Sequence, residues 1–145
     1  RIQARNRAAI MEAALTVFSD KGYGGATVAE IAQAAGLSKA NLLYYFPSKA
    51  AIYETLLASL LETWLAPLRA LDPGGDPQEQ ILRYVRRKLE MSREMPRESR
   101  LFAGEMLAGA PSMTATLAGD LRRLVDEKAA VIARWTASPR AIRIT

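Results

Sequence analysis

Apolar residues recur along this chain with the period of an α-helix. Near the start, Ile10, Ala14, Val17 and Phe18 follow the spacing i, i+4, i+7 and i+8, which places them on one helix face. Similar stripes return further on, and their members are Tyr53, Leu57, Leu60, Leu61, Trp64 and Leu68, then Ile81, Tyr84, Val85 and Leu89, then Leu117, Leu121, Leu124, Val125, Ile132 and Trp135. No segment convincingly alternates as a strand does, so the sequence predicts an all-α fold.

Capping residues and glycines divide this pattern into seven helices. Thr27, followed by Glu30 three residues later, has the spacing of a capping box, and that second helix should run to about Ala35. Residues suited to helix starts open four further helices, at Ser38, Ser48, Asp76–Pro77 and Pro96. Breaks are predicted at "DKGYGG" (20–25), "DPGGDP" (72–77) and "GAPS" (109–112).

The segment "AEIAQAAGLSKANLLYYF" (29–46) has the pattern of a helix-turn-helix. Gly36 accepts the positive φ that a tight turn needs, and the small Ala32 lies where the second helix would cross the first. Apolar positions flank the turn at Ile31, Ala35, Leu37 and Leu42. An αα-hairpin of a helical bundle is the alternative. The agreement of caps, glycine and apolar spacing favours the DNA-binding motif, whose second helix enters the major groove.

Charge and composition indicate the kind of partner and exclude several kinds of active site. The net charge is +5 and the pI about 9.8, which suits a polyanionic partner. Residues 1–50 hold six Lys or Arg against three Asp or Glu, and "RIQARNR" supplies half of those cations. The chain has no Cys and no His, which excludes disulfides, thiolate nucleophiles, imidazole-based triads and His-ligated metals. We expect no catalysis, no cofactor and no metal, although an enzyme would still be able to use a carboxylate or a lysine.

The hydrophobic segments also bear on location. No run of about 18 uncharged apolar residues occurs, so no membrane span is expected. The basic N-terminus is followed by Glu12, Asp20 and Lys21, which does not fit a signal peptide. We expect a soluble, cytoplasmic protein.

The segment "TVAEIAQAAGLSKANLLYYFPSKAAIYETLL" resembles the DNA-binding signature of the TetR family of one-component regulators, and the likeness covers residues 8–60. Leu43 stands where that family commonly has its first aromatic residue. "WLAPL", "PRESRLF" and "EMLAGAP" are similar to the pyrimidine-utilisation regulators within the family. This likeness ends near Trp135, before the helices that usually build the family's dimer interface. We expect a truncated chain or a part of a longer protein.

The resemblance implies a domain organisation and partners. It implies a helix-turn-helix DNA-binding domain over residues 1–47 and a ligand-binding and dimerisation bundle over 48–145. It also implies a homodimer, a double-stranded DNA operator and a small-molecule effector, uracil or a related pyrimidine.

Candidate DNA contacts come from the helix-turn-helix and its flanks. Asn41 suits an adenine edge and Lys39 a guanine or a phosphate, while Ala40 and Leu43 suit a thymine methyl. The groove-facing candidates are Lys39, Ala40, Asn41, Leu43 and Tyr44. By position and resemblance, the phosphate candidates are Thr27, Ser38, Tyr45 and Lys49. Arg5 and Arg7 are placed to reach phosphate or the minor groove, and a frayed basic terminus is the alternative.

Candidate effector contacts lie after residue 50. Trp64 is favoured because an indole stacks well on a flat heterocycle. The other candidates are Tyr84, Lys88, Phe102, Glu105 and Met106. The basic cluster "RYVRRK" (83–88) is interpreted as a solvated face, with Glu79 and Glu90 at pairing distance.

These patterns favour a ligand-responsive transcriptional regulator, a repressor that a small molecule releases from DNA. Three alternatives remain open from the sequence. One is an all-α ligand-binding or interaction module without DNA binding. Another is an enzyme built on a carboxylate or lysine site. The third is a truncated partner that forms defective dimers.

Overall fold

The computed structural model describes residues 1–137, and this part of the chain is entirely helical and loop, with no strand. Its helices are α1 (Ile2–Gly25), α2 (Val28–Ala34), α3 (Lys39–Tyr45), α4 (Lys49–Arg69), α5 (Pro77–Glu94), α6 (Pro96–Leu107) and α7 (Ala115–Ala137). The predicted all-α fold is confirmed. Residues 138–145, the end of the predicted second domain, lie outside the described range.

Side-chain caps begin the helices where the sequence predicts them. The Thr27 hydroxyl oxygen accepts from the Glu30 amide at 3.1 Å, as the predicted cap requires, and the hydroxyl donates to the Glu30 carboxylate at 3.0 Å. The carboxylate thus bonds the Thr27 hydroxyl in place of the Thr27 backbone amide of a full capping box. Three further caps accept from the amide three residues on: Ser38 from Asn41 (3.1 Å), Ser48 from Ala51 (3.1 Å) and Asp76 from Glu79 (3.0 Å). The connections between helices are therefore fixed by local hydrogen bonds.

Helix α1 starts at Ile2, so the basic N-terminal residues are its first turns and not a frayed terminus. Its last turn is interrupted at Gly22, where φ is 72° and ψ is 172°. The predicted break at "DKGYGG" therefore occurs at a glycine, which takes a positive φ without strain.

Two compact units make up the fold. The first joins Arg1–Leu61 with Met95–Met113, so α6 completes a unit that α1 to the first half of α4 begin. Its fully buried large side chains are Ile10, Ile31, Leu42, Ile52 and Leu57. Arg97 on α6 donates to the Glu12 carboxylate (2.6 Å) and the Thr16 hydroxyl (2.8 Å) of α1. These two hydrogen bonds hold α6 against α1.

A buried carboxylate ties the other end of α6 to α4. Glu105 is 5% exposed, and its two oxygens accept from the Tyr53 hydroxyl at 2.8 Å and the Ser112 amide at 2.7 Å. Burial, together with this hydrogen bond and the charge of Glu105, raises the pKa of Tyr53 because each disfavours a phenolate. The Tyr53 ring packs edge-on against Phe18 and Tyr23 of α1.

The second unit joins Glu62–Glu94 with the chain from Thr114. Its apolar cluster consists of Leu71, Val131 and Trp135 with Leu68 and Ile81 against them. The buried Lys128 ammonium donates to the Leu71 carbonyl at 3.0 Å, just beyond the end of α4. A cation there complements the negative end of the α4 dipole.

The predicted functional boundary at residue 47 does not coincide with the limits of these compact units. Residues 49–61 of α4 and the whole of α6 pack with the N-terminal helices. The division into a DNA-binding domain (1–47) and a ligand-binding and dimerisation domain (48–145) remains a prediction about function.

Candidate nucleic-acid interface and effector residues

The α2–α3 segment has the geometry of a helix-turn-helix. Gly36 has a φ of 73°, and the Leu37 amide after it donates to the Ala32 carbonyl at 2.9 Å, which closes the turn. Ile31, Ala32 and Leu42 are buried around the turn. A Cβ added to Gly36 would meet no atom within 4 Å, so backbone conformation and not space requires the glycine.

Helix α3 has a buried inner face and an exposed outer face, as predicted. Leu42 and the following Phe46 are buried. The outer face carries the groove-facing candidates, with Leu43 37% and Tyr44 73% exposed. Lys39, Ala40 and Asn41 are also exposed. The structure thus brings all five candidate base contacts together on the solvent side of one short helix.

The phosphate candidates surround that helix. Thr27 and Ser38 are the exposed N-caps of α2 and α3. Tyr45 is half-buried, and its hydroxyl oxygen accepts from the Asn6 side-chain amide of α1 at 2.9 Å. Sequence reasoning missed Asn6, because no local pattern links positions 39 residues apart.

Lys49 has contacts that its sequence position does not indicate. Its ammonium donates to the Tyr23 carbonyl at 2.8 Å and the Ala26 carbonyl at 3.1 Å, and it lies 4.4 Å from the centroid of the Tyr23 ring. It therefore fastens the start of α4 to the end of α1. By contrast, the exposed Lys39 side chain forms no hydrogen bond or ion pair with any residue from 1 to 137.

Arg7, the other predicted contact on α1, lies against the end of α3. Its guanidinium is 4.6 Å from the centroid of the Phe46 ring. A cation at this position also complements the negative C-terminal end of the short helix α3.

Two of the effector candidates contact each other directly. The Lys88 ammonium of α5 lies 4.1 Å from the Trp64 ring centroid and donates to the Trp64 carbonyl at 2.6 Å. Burial lowers the pKa of Lys88 because it disfavours the charged form. One turn earlier on α5, Tyr84 lines an open cleft of about 630 Å³ with Pro67 and Leu71. Trp64, Tyr84 and Lys88 thus belong to the second compact unit.

The remaining effector candidates belong to the first unit. Phe102 and Met106 are half-buried on α6. Glu105, between them in sequence, uses both carboxylate oxygens within the protein. In the basic cluster, Arg83 pairs with Glu79 at 3.1 Å, in agreement with a solvated face.

Comparisons with known proteins identify the family. Residues 10–56 match the model of bacterial regulatory proteins of the tetR family, and residues 57–145 match that of the YcdC-like protein C-terminal region. The chain belongs to the TetR family. The predicted resemblance is therefore confirmed over both parts of the sequence.

Individual relatives of this TetR-family chain agree. It is 50% identical over 138 residues to the HTH-type transcriptional regulator RutR of Escherichia coli (strain K12), which covers 95% of this chain and 65% of the relative. The chain thus spans about two thirds of the length of that relative. A TetR family transcription regulator from Marinobacter aquaeolei VT8 has the same fold, with a TM-score of 0.74 at 22% identity over 92% of this chain and 69% of that one.

Among residues 1–137, no helix combines the length and apolar character needed to cross a bilayer.

Proposed function

We propose that this chain reads DNA and responds to a small ligand as a transcriptional repressor that acts in the cytoplasm as a homodimer. The observation that carries the proposal is the outer face of α3, where Lys39, Asn41 and Tyr44 are exposed beside a glycine turn and two capped helix starts. That arrangement suits insertion of α3 into a major groove.

The proposed contacts divide into two sets. Base edges are read by side chains of the exposed face, which are Lys39, Ala40, Asn41, Leu43 and Tyr44. Backbone phosphates are held by groups at the helix ends, which are Thr27, Ser38, Tyr45 and Lys49. Lys49 retains one ammonium proton for a phosphate after its two carbonyl contacts.

The proposed effector is uracil or a related pyrimidine. Support comes from the segments that resemble pyrimidine-utilisation regulators, among them "WLAPL", and from the chemistry at Trp64. An indole can stack on a flat heterocycle, and the Lys88 ammonium, which lies over the Trp64 ring, can donate to a ring carbonyl of the ligand. Tyr84 belongs to the same compact unit and is a further proposed contact, whereas Phe102 and Met106 lie in the other unit and stay predictions from the sequence.

The DNA-binding proposal is tested with the full-length protein and a duplex that it selects from a random-sequence pool. We expect log affinity to fall linearly with log salt concentration, with a slope of about −0.9 per phosphate contact. Asn41→Ala should relax specificity at an adenine position while leaving this slope unchanged. Binding that is absent at low salt would favour the helical ligand-binding module instead.

The effector proposal is tested by adding uracil to the protein–DNA complex. A ligand with about eight heavy atoms is limited to about 12 kcal/mol at 1.5 kcal/mol per atom, and we expect micromolar affinity. Uracil can release the protein from DNA only if it binds the DNA-free conformation more tightly than the DNA-bound one. Trp64→Leu should weaken release while leaving DNA affinity without uracil unchanged. No release from the wild-type complex at millimolar uracil would contradict the effector assignment alone.

A further inference from the structure

The end of α3, the proposed recognition helix, is held by the first turns of α1. Two consecutive residues of α1 contact two consecutive residues at the end of α3. The Asn6 amide nitrogen lies 2.9 Å from the Tyr45 hydroxyl oxygen, and the Arg7 guanidinium lies 4.6 Å from the Phe46 ring centroid. Phe46 is 3% exposed, whereas Tyr45 is half-buried and remains accessible at the surface.

The direction of the first hydrogen bond determines what Tyr45 can do. Asn6 donates, so the phenolic oxygen accepts and its own proton is not used in this contact. A phosphodiester oxygen only accepts hydrogen bonds, so Tyr45 can bind one only by donating that proton. Accepting a hydrogen bond also strengthens the hydroxyl as a donor.

We propose that Asn6 is a positioning residue for DNA binding. It touches no phosphate itself but holds the Tyr45 hydroxyl with its proton directed to the DNA backbone. The inference rests on the proposed DNA binding and adds a function for α1, which therefore supports the recognition helix as well as the core. The adjacent Arg7–Phe46 contact fixes the same two segments, so Asn6 is needed for the direction of the hydroxyl more than for the fold.

A double-mutant cycle tests this coupling in the full-length protein on its selected duplex at one salt concentration. We expect Tyr45→Phe to weaken binding roughly tenfold, because it removes a hydrogen bond to a charged group. Asn6→Ala should weaken binding several-fold alone and have no further effect when combined with Tyr45→Phe. Tyr44→Phe, on the exposed neighbour, is the matched control, and its effect should multiply with that of Asn6→Ala.

Asn6→Asp gives a second, nearly isosteric test. A carboxylate only accepts hydrogen bonds, so the Tyr45 hydroxyl would donate to Asp at position 6 and the direction of the hydrogen bond would be reversed. Its added negative charge also repels DNA, and the same substitution in the Tyr45→Phe protein measures that repulsion separately. We expect Asn6→Asp to be more harmful when the Tyr45 hydroxyl is present.

The outcomes separate the inference from the function on which it rests. A wild-type protein that binds no duplex at low salt would remove both. If the wild type binds with the expected salt dependence, an unchanged affinity of Tyr45→Phe would overturn the inference alone. Equal effects of Asn6→Ala with and without the Tyr45 hydroxyl would also overturn it, because they would indicate a purely structural role.

Discussion

Replacing Tyr53 by Phe removes a single oxygen from the interior of the first compact unit. Tyr53 is 4% and Glu105 5% exposed, and 2.8 Å separates the hydroxyl from the carboxylate. The substitution leaves one carboxylate oxygen buried without its donor, while the other keeps the Ser112 amide. An unsatisfied buried group costs about 1–3 kcal/mol, and more when it is charged. We therefore expect Tyr53→Phe to lower the free energy of unfolding by about 2–3 kcal/mol.

Urea denaturation of the full-length protein measures this change. The midpoint should fall with little change in the denaturant slope, and the melting temperature should drop by roughly 4–12 °C. Tyr45→Phe is the matched control, since its half-buried hydroxyl forms one hydrogen bond between neutral groups, which should contribute about 0.5–1.5 kcal/mol. Glu105→Gln should cost less than Tyr53→Phe, because the amide can accept from Ser112 and donate to Tyr53. A Tyr53→Phe protein as stable as wild type would refute the buried hydrogen bond.

Three other predictions follow from contacts already described. Lys49→Ala should lower unfolding free energy by about 1–2 kcal/mol through its carbonyl and ring contacts and reduce the salt slope by about 0.9. Lys39→Ala, in which the lost side chain has no partner among residues 1–137, should leave the unfolding free energy unchanged, and an unchanged slope for Lys49→Ala would remove its phosphate contact. Gly36→Val should cost about 1–3 kcal/mol and abolish DNA binding, since a β-branched residue is strained at a φ of 73°; normal binding to the selected duplex would contradict this. Because the pKa of Tyr53 is raised, its contribution to stability should be full below about pH 10, where free tyrosine titrates, and be lost progressively as the pH rises from there towards the raised pKa. Urea midpoints at pH 8 and pH 11 should thus fall further apart in wild type than in Tyr53→Phe.

The helix boundaries could be predicted because their causes are local. Thr27, Ser38, Ser48 and Asp76 each bond an amide three residues on, so the cap and its partner appear in one short stretch of sequence. The exposure of the outer face of α3 could be predicted from the helical spacing of its apolar residues. For this reason the fold class and the exposed groove-facing candidates agree with the structure.

Contacts between distant positions could not be predicted. Tyr53 and Glu105 are 52 residues apart, and Lys49 and Tyr23 are 26 apart, and no period or motif connects either pair. Periodicity also marks helical faces without saying what covers them: Val85 and Leu89 continue the apolar stripe of α5, yet they are 44% and 66% exposed. One sequence identifies a stripe but not its packing partner.

The interruption of the first compact unit by residues 62–94 affects how it folds during synthesis. At about 5–20 residues per second, a ribosome needs roughly 3–10 s to add the residues that separate Leu61 from Met113. Until Arg97 and Glu105 are added, late in that interval, Glu12 and Tyr53 lack these partners, so the α6-facing side of α1 remains open to chaperones. A fragment that stops after residue 61 would carry the whole helix-turn-helix in this unfinished state, and supplying residues 95–113 would be needed to complete its core.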